Sequence, residues 1–329
     1  MSFILKKLER LFKFCLEYWL NNHYLLPANQ YGYKKGFGAI DAVTHITVDV
    51  QNCFSNNNYL SSLFLDIQGA YDCVDLNILE KKMVTHFRIP LNISRSIINL
   101  YNRRCIYVRN SSNERIGPRY AFSGLPQGSV LSPLLFNLYT ADIHNLSPFK
   151  IVQYADDFCI YTQNRNYDIS LRQLSEAFRK IVDWSRTNGF DISLEKSVAC
   201  VFTRHNIPNI DFVHLHNTVI PFKTEVKYLG VILDKKLSWK QHINYIVTRC
   251  EKGINSLRSI MTTSWGCDVT TALMFYKSYI RSILDYGSII YGSACKTYLQ
   301  KVDRVQYKAL RVCLGAMSSS PVEALEAAY

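Results

Sequence analysis

With 329 residues, 48% of them apolar and 19% charged, the chain has the material for a large buried core, which excludes a disordered tail or a disulfide-knit miniprotein. Its 38 Lys and Arg exceed 26 Asp and Glu, and the excess is concentrated: between Lys235 and Arg311, 13 basic residues stand against four acidic ones. A basic C-terminal third of this kind calls for a polyanionic partner. The ten cysteines show no CxxC pair and no zinc-knuckle spacing, and they read as reduced core residues of an intracellular protein.

In chain order, the opening MSFILKKLERLFKFCLEYWL breaks its apolar residues with Lys, Arg and Glu at helical spacing. That pattern predicts an amphipathic helix and excludes a signal peptide or membrane span, both of which need an unbroken apolar stretch. No targeting signal is visible, so nuclear and cytoplasmic locations both stay open. After a Gly/Lys/Tyr-rich stretch at 31–38 come a helix over 41–54, a strand over 63–67, helices over 76–87 and 92–102, and a strand over 105–109. Residues 124–128 read as a loop, followed by a helix with Ser132 as N-cap and Pro133 at its first position, running to about Ile143. A hairpin over 151–161, a helix over 171–187 and strands at 198–203 and 227–233 complete an α+β domain. From Trp239 three helical stripes follow, led by Ile243, Val269 and Leu299.

Asp66 ends an apolar strand and Asp156-Asp157 occupy the tip of an apolar hairpin ninety residues later. Unpaired carboxylates in such places cost several kcal/mol or more, and the usual compensation is a cation. Three of them on neighbouring strands can hold two Mg²⁺ about 3.5–4 Å apart, with Mn²⁺ as the alternative.

The segments FLDIQGAYDCVD (64–75), GLPQGSVLSPLLFNLYTADI (124–143), QYADDFCIY (153–161), LEKSVACVFTR (194–204) and VKYLGVILD (226–234) resemble, in order, the palm motifs of reverse transcriptases. NQYGYKKGFGAIDAV (29–43) resembles the fingers motif of the non-LTR, LINE-type (jockey/I-like) branch, and residues 265–294 resemble its thumb. The resemblance implies a right-hand polymerase with fingers and palm over 1–236 and a helical thumb over 237–329. It implies RNA-directed DNA polymerase activity on an RNA template, a DNA primer and dNTPs, with no membrane partner. A chain that begins inside the first fingers helix, cut from a longer polyprotein, is also implied.

Residue by residue, the resemblance makes Asp66, Asp156 and Asp157 metal ligands, joined by the backbone carbonyl of Ile67. Tyr71 becomes the gate against a 2′-hydroxyl, and Gln127 and Gly128 line the nucleotide pocket with Lys34 and Lys35 of the fingers loop. Lys196 becomes a proton donor near the triphosphate, the alternative being an exposed helix-flanking lysine. Tyr228, Leu229 and Gly230 form a turn that holds the primer end. Lys34 and Phe37 stand where the family commonly has arginine, which changes how that loop would hold phosphate. Two rivals are a relic that keeps the fold and binds RNA without catalysis, and a viral RNA-dependent RNA polymerase. Tyr154-Ala155 before the paired aspartates and the aromatic Tyr71 speak against the second.

Overall fold

Ten consecutive residues of β1 (Tyr59–Gln68) are buried along most of their length, so the strand reads as one apolar run rather than as alternation. Both of its faces are covered. Leu63, Leu65 and Ile67 point into the main core, while the intervening Phe64 is also buried and α2 (Ala39–Ser55) packs across β1 and β4 (Lys150–Tyr154). The computed structural model describes residues 3–102, 104–207, 212–215, 218–261 and 266–327. Trp265, which opens the thumb-like segment, and the residues at both chain ends lie outside these.

The chain divides into two compact units, Met1–Lys223 and Thr224–Tyr329. The first is built on an antiparallel sheet in the order β4-β5-β1-β6, with β5 at Asp157–Asn164 and β6 at Asp191–Phe202. One side of the sheet carries α3 (Leu76–Thr85), α4 (Leu91–Tyr101), α5 (Ser132–Thr140) and α6 (Tyr167–Thr187), whose apolar faces merge with the strands in a single core. The first helix, α1 (Phe3–Asn22), joins that core through Leu16 and Leu20. A separate ribbon of β2 (Arg104–Arg109) and β3 (Arg115–Ala121) precedes α5, and β7 (Phe212–Leu215) pairs with β8 (Thr218–Pro221) near the end of the unit.

The second unit begins with a hairpin, β9 (Glu225–Tyr228) and β10 (Val231–Asp234), so the expected strand at 227–233 is two strands around a turn. The turn residues Leu229 and Gly230 both have positive φ, 46° and 82°, the geometry a two-residue hairpin loop requires. Then come α7 (Lys240–Ile260), α8 (Val269–Phe275), a π-helical turn (Tyr276–Arg281), α9 (Ser282–Asp285), α10 (Ser288–Tyr291), α11 (Lys296–Leu314) and α12 (Val322–Ala327). The stripe on α7, Ile243, Ile246, Cys250, Ile254 and Leu257, is buried as its spacing predicts. On α11 the buried stripe is Val305, Ala309, Leu310 and Cys313, whereas the spacing predicts Leu299, Val302, Val305, Ala309 and Val312.

Other expectations also shift. Ser132 is the first helical residue rather than the cap, which falls at Leu131, and the N–H groups of Leu131 and Ser132 are met from upstream by Ser129 Oγ at 3.2 and 3.3 Å. The helix also stops at Thr140 and tightens into a 3₁₀ turn over Ala141–Asn145. Of the ten cysteines, all free, only Cys53, Cys159, Cys200, Cys250 and Cys313 are buried; Cys15, Cys105 and Cys295 are exposed. Among the described residues no helix is long and apolar enough to cross a membrane.

Candidate active site

The antiparallel register places Asp66 of β1 directly opposite Asp157 of β5. Asp156 occupies the tight turn before β5, where Ala155 adopts φ 55°. The carboxyl of Asp157 is pushed up to about 6, first by desolvation and then by repulsion from Asp156 and Asp66. Asp157 keeps solvent access along the turn, so screening moderates the effect.

The turn is held from behind. The buried Gln153 donates from Nε2 to the carbonyl of Ala155 and to Thr140 Oγ1, both at 2.8 Å, while its Oε1 takes a bond from His144 at 3.1 Å. Residues 29–31 lie alongside β4, with Gln153 N donating to Asn29 O and Tyr31 N to Gln153 O. Gly32 then passes so close that a Cβ would stand 2.2 Å from Ala155 N, so only glycine fits. Burial holds His144 neutral, down at about 4.

Lys196 reaches the same edge by a bulge. Phe64 pairs with Val198 and Asp66 with Ser193, so four residues of β6 bow out opposite one of β1. Within the bow Ser197 Oγ accepts from Asp66 N at 3.4 Å, and Lys196 Nζ stands 3.7 Å from Asp66 Oδ2 with both side chains largely exposed. Lys196 is thus a strand residue, not a helix-flanking one.

Tyr71 follows the turn that begins at Gly69 (φ 54°) and lies flat on Phe136, ring centroids 4.9 Å apart and planes 12° from parallel. Desolvation, a hydrogen bond with Tyr33 and the charge of Asp156 all raise its hydroxyl well above the ordinary tyrosine range. Its carbonyl accepts from Leu125 N at 2.7 Å, which ties it to the loop bearing Gln127 and Gly128. Both of these are exposed, and Gly128 has φ 85° with open space around it.

That loop is anchored by a residue sequence reading passes over. Glu9 of α1 is wholly buried; its Oε1 accepts from Ser129 Oγ at 2.9 Å and Tyr101 Oη at 3.1 Å, and its Oε2 from Val130 N at 3.2 Å. In the sequence it is one charge on an amphipathic helix, indistinguishable from Glu17. Gln153 offered a signal, a polar residue inside an apolar strand, and Tyr33 offered none.

Lys34 and Lys35 border a cavity of about 1140 Å³ together with the loop 24–29 and Lys150. Lys34 sits 4.9 Å from the Phe37 ring centroid, and burial lowers its pKa. It is Tyr33 that reaches Tyr71 from this loop. Tyr228, Leu229 and Gly230 form the hairpin turn of the second unit, where Leu229 O accepts from Tyr286 Oη at 2.6 Å. Ile67 is buried in β1 beside Asp66.

In kind, the aspartates suit a divalent cation: hard oxygen donors of like charge gathered on one strand edge. Among the described residues no three His, Cys, Asp or Glu side chains converge as a ready-made metal cluster. Asp66 lies beside Lys196 instead, and the mutual repulsion recorded at Asp157 is what a bound cation would relieve.

An antiparallel sheet with carboxylates at the paired ends of β1 and β5 is the palm of a right-hand polymerase fold. Residues 1–233 match the family model of reverse transcriptase (RNA-dependent DNA polymerase), and the chain belongs to that family. It is 26% identical over 321 residues to the probable RNA-directed DNA polymerase from transposon BS of Drosophila melanogaster, covering 94% of this chain and 35% of that protein. To the RNA-directed DNA polymerase from mobile element jockey of the same fly it is 27% identical over 304 residues, 88% of this chain and 32% of that one. The chain therefore spans about a third of the length of these relatives. Its fold resembles that of telomerase from Candida albicans solved with a TWJ fragment of telomeric RNA, at TM-score 0.53 and 12% identity, over 98% of this chain and 58% of that one.

Proposed function

We propose that this chain is the catalytic core of a non-LTR retrotransposon RNA-directed DNA polymerase, adding deoxynucleotides to the 3′-hydroxyl of a DNA primer on an RNA template. The observation that carries the reading is the cross-strand pairing of Asp66 with Asp157, beside Asp156, in a chain matched over residues 1–233 by the reverse transcriptase family.

The carboxylates of Asp66, Asp156 and Asp157 and the carbonyl of Ile67 would hold two Mg²⁺ or Mn²⁺ ions, which when bound activate the hydroxyl and offset charge on the phosphates. The other roles belong to the chain's own groups. Tyr71, backed by Phe136, supplies a stiff floor under the sugar. Gln127 and Gly128 line the nucleotide pocket, where the left-handed backbone at Gly128 exposes peptide groups. Lys196 sits where it can give a proton to departing pyrophosphate, and Lys34 and Lys35 add positive charge for the triphosphate. The thumb role falls to residues 237–329, whose Lys and Arg engage phosphates, with Tyr228-Leu229-Gly230 gripping the primer end.

Primer extension on poly(rA)·oligo(dT) with Mg²⁺ tests the reading. Wild-type protein should incorporate dTMP, and Asp156→Asn should abolish incorporation without lowering the melting temperature, since it removes one of three repelling charges. A variant that extends at a near wild-type rate overturns the site.

A further inference from the structure

The β2–β3 ribbon is exposed on both sides, which a two-stranded ribbon in water seldom sustains without a partner. Its register sorts the side chains. Cys105 pairs with Tyr120 and Arg109 with Arg115, so alternation puts Tyr107, Arg109, Arg115 and Tyr120 on one face. Ile106, Val108 and Ile116 share the other with Arg119.

On the first face the Arg115 guanidinium lies 3.4 Å from the Tyr107 ring centroid, a flat cation stacked on an aromatic. Arg109 and Arg115 stand directly opposite each other, and like charges so placed destabilise a ribbon unless an anion separates them. From Arg104 to Phe122 there are four arginines and a single acidic residue, Glu114, which is engaged with Asn110. The ribbon's root is fixed: Arg104 donates to the carbonyls of Tyr101, Ser123 and Gly124, at the start of the loop that carries Gln127.

We propose that this face binds single-stranded RNA, with Arg109 and Arg115 on phosphates and Tyr107 and Tyr120 under bases. Aromatic platforms set among guanidinium groups are the chemistry that holds single strands, and no apolar protein partner needs the opposed arginines. Naming that strand as template rests on the polymerase reading; the binding itself does not.

The test is fluorescence anisotropy of labelled (rU)20 with the full chain in EDTA. Removing a stacking ring, as in Tyr107→Ala or Tyr120→Ala, should weaken binding by about 5- to 100-fold. Replacing Arg109 and Arg115 together by Gln should lower the slope of log affinity against log salt by about 1.4. No variant should lose its cooperative melting transition, because all four side chains are surface groups, and the double Gln variant should melt no lower than wild type, since it removes two opposed like charges. Unaltered affinity and slope in these variants overturn the proposal. So does an equal loss in Ile106→Ser/Val108→Ser, which would assign the effect to the ribbon's fold rather than its face. Sedimentation showing a dimer that the tyrosine variants dissolve, with RNA affinity intact, would likewise overturn it in favour of a protein contact. Primer extension in parallel separates the two readings. Wild-type protein that binds RNA through the ribbon without extending a primer sinks the polymerase reading alone, and normal extension with ribbon variants of unaltered affinity sinks this one alone.

Discussion

The side-chain amide of Gln153 donates to the carbonyl of Ala155 at 2.8 Å, clamping the turn that carries Asp156 and Asp157. Ala155 is in left-handed backbone, a conformation that costs an ordinary residue about 1–3 kcal/mol and persists only when its surroundings enforce it. Gln153→Leu removes the clamp along with the acceptor for His144, and leaves buried polar groups unpaired. We expect a loss of about 1–3 kcal/mol in urea unfolding and a fall in kcat larger than any change in KM for dTTP. An unchanged kcat would show that the turn is set by Gly32 and the strands alone.

Glu9 works at longer range, holding the Gln127 loop from a helix 120 residues earlier. Three donors converge on one buried carboxylate, and hydrogen bonds to charged groups are worth about 1.5–3 kcal/mol each. Glu9→Gln keeps the shape but turns an NH₂ toward donors, so stability should fall and KM for dTTP, normalised to active sites, should rise. Ser129→Ala should raise KM in the same way, and the double variant should add little beyond the larger single effect. Reduced stability with unaltered KM would make Glu9 a packing residue only.

The sheet and most of its helices are legible because β1 is one largely apolar run and the helical stripes keep the 3.6-residue period. Asp66, Asp156 and Asp157 are legible for a different reason: they are carboxylates set within apolar runs, although in the fold Asp156 and Asp157 reach solvent and Asp66 pairs with Lys196. What escapes are features that depend on distant partners. The bulge that carries Lys196 to Asp66 lies in the polar stretch 191–197, which has no strand signature. Ser132 is not the cap of α5, because its own N–H is bonded to Ser129 Oγ, a hydroxyl that Glu9 fixes from α1, which no window of local sequence contains. The β3 strand carries Gly117 and Pro118, both poor strand formers, and so has no strand signature in the sequence.

Stability should fall with acid in a window set by His242. The ring is buried on α7 against Tyr291, and Nδ1 accepts from Ile232 N at 3.3 Å, so the neutral form is the one the fold accommodates. Desolvation lowers its pKa from 6.5 to about 4. Between these values the unfolded chain binds the proton and the folded chain does not, so stability is full above about pH 6.5 and declines as pH falls toward about 4. The slope approaches about 1.4 kcal/mol per pH unit from this group, with His144 adding a similar contribution. His242→Gln keeps an acceptor for Ile232 without a titrating group. Urea melts at pH 7, 5.5 and 4.5 should therefore show a shallower decline in the variant, and identical slopes would mean His242 is protonated in the folded protein.

Tyr71 decides which sugar is accepted, if its ring is a wall rather than a core filler. Its position supports both roles: one face is stacked on the fully buried Phe136, and the hydroxyl end interacts with Tyr33 and feels the charge of Asp156. A pocket that is merely apolar rejects an added hydroxyl by only about a hundredfold. A rigid ring adds a steric clash, which disappears with the ring. Tyr71→Val should therefore raise UTP incorporation opposite rA sharply while dTTP incorporation falls far less. Because the ring is also packed, the variant should lose stability, up to the roughly 3–5 kcal/mol of a large aromatic truncation. The stability loss alone cannot change the ratio of the two nucleotides, since both use the same folded fraction. Phe136→Leu tests the wall from behind: it leaves Tyr71 in place but removes the flat surface that stiffens it, so the UTP to dTTP ratio should rise to an intermediate value. A ratio unaltered in both variants, with melting temperatures lowered, would return Tyr71 to the core.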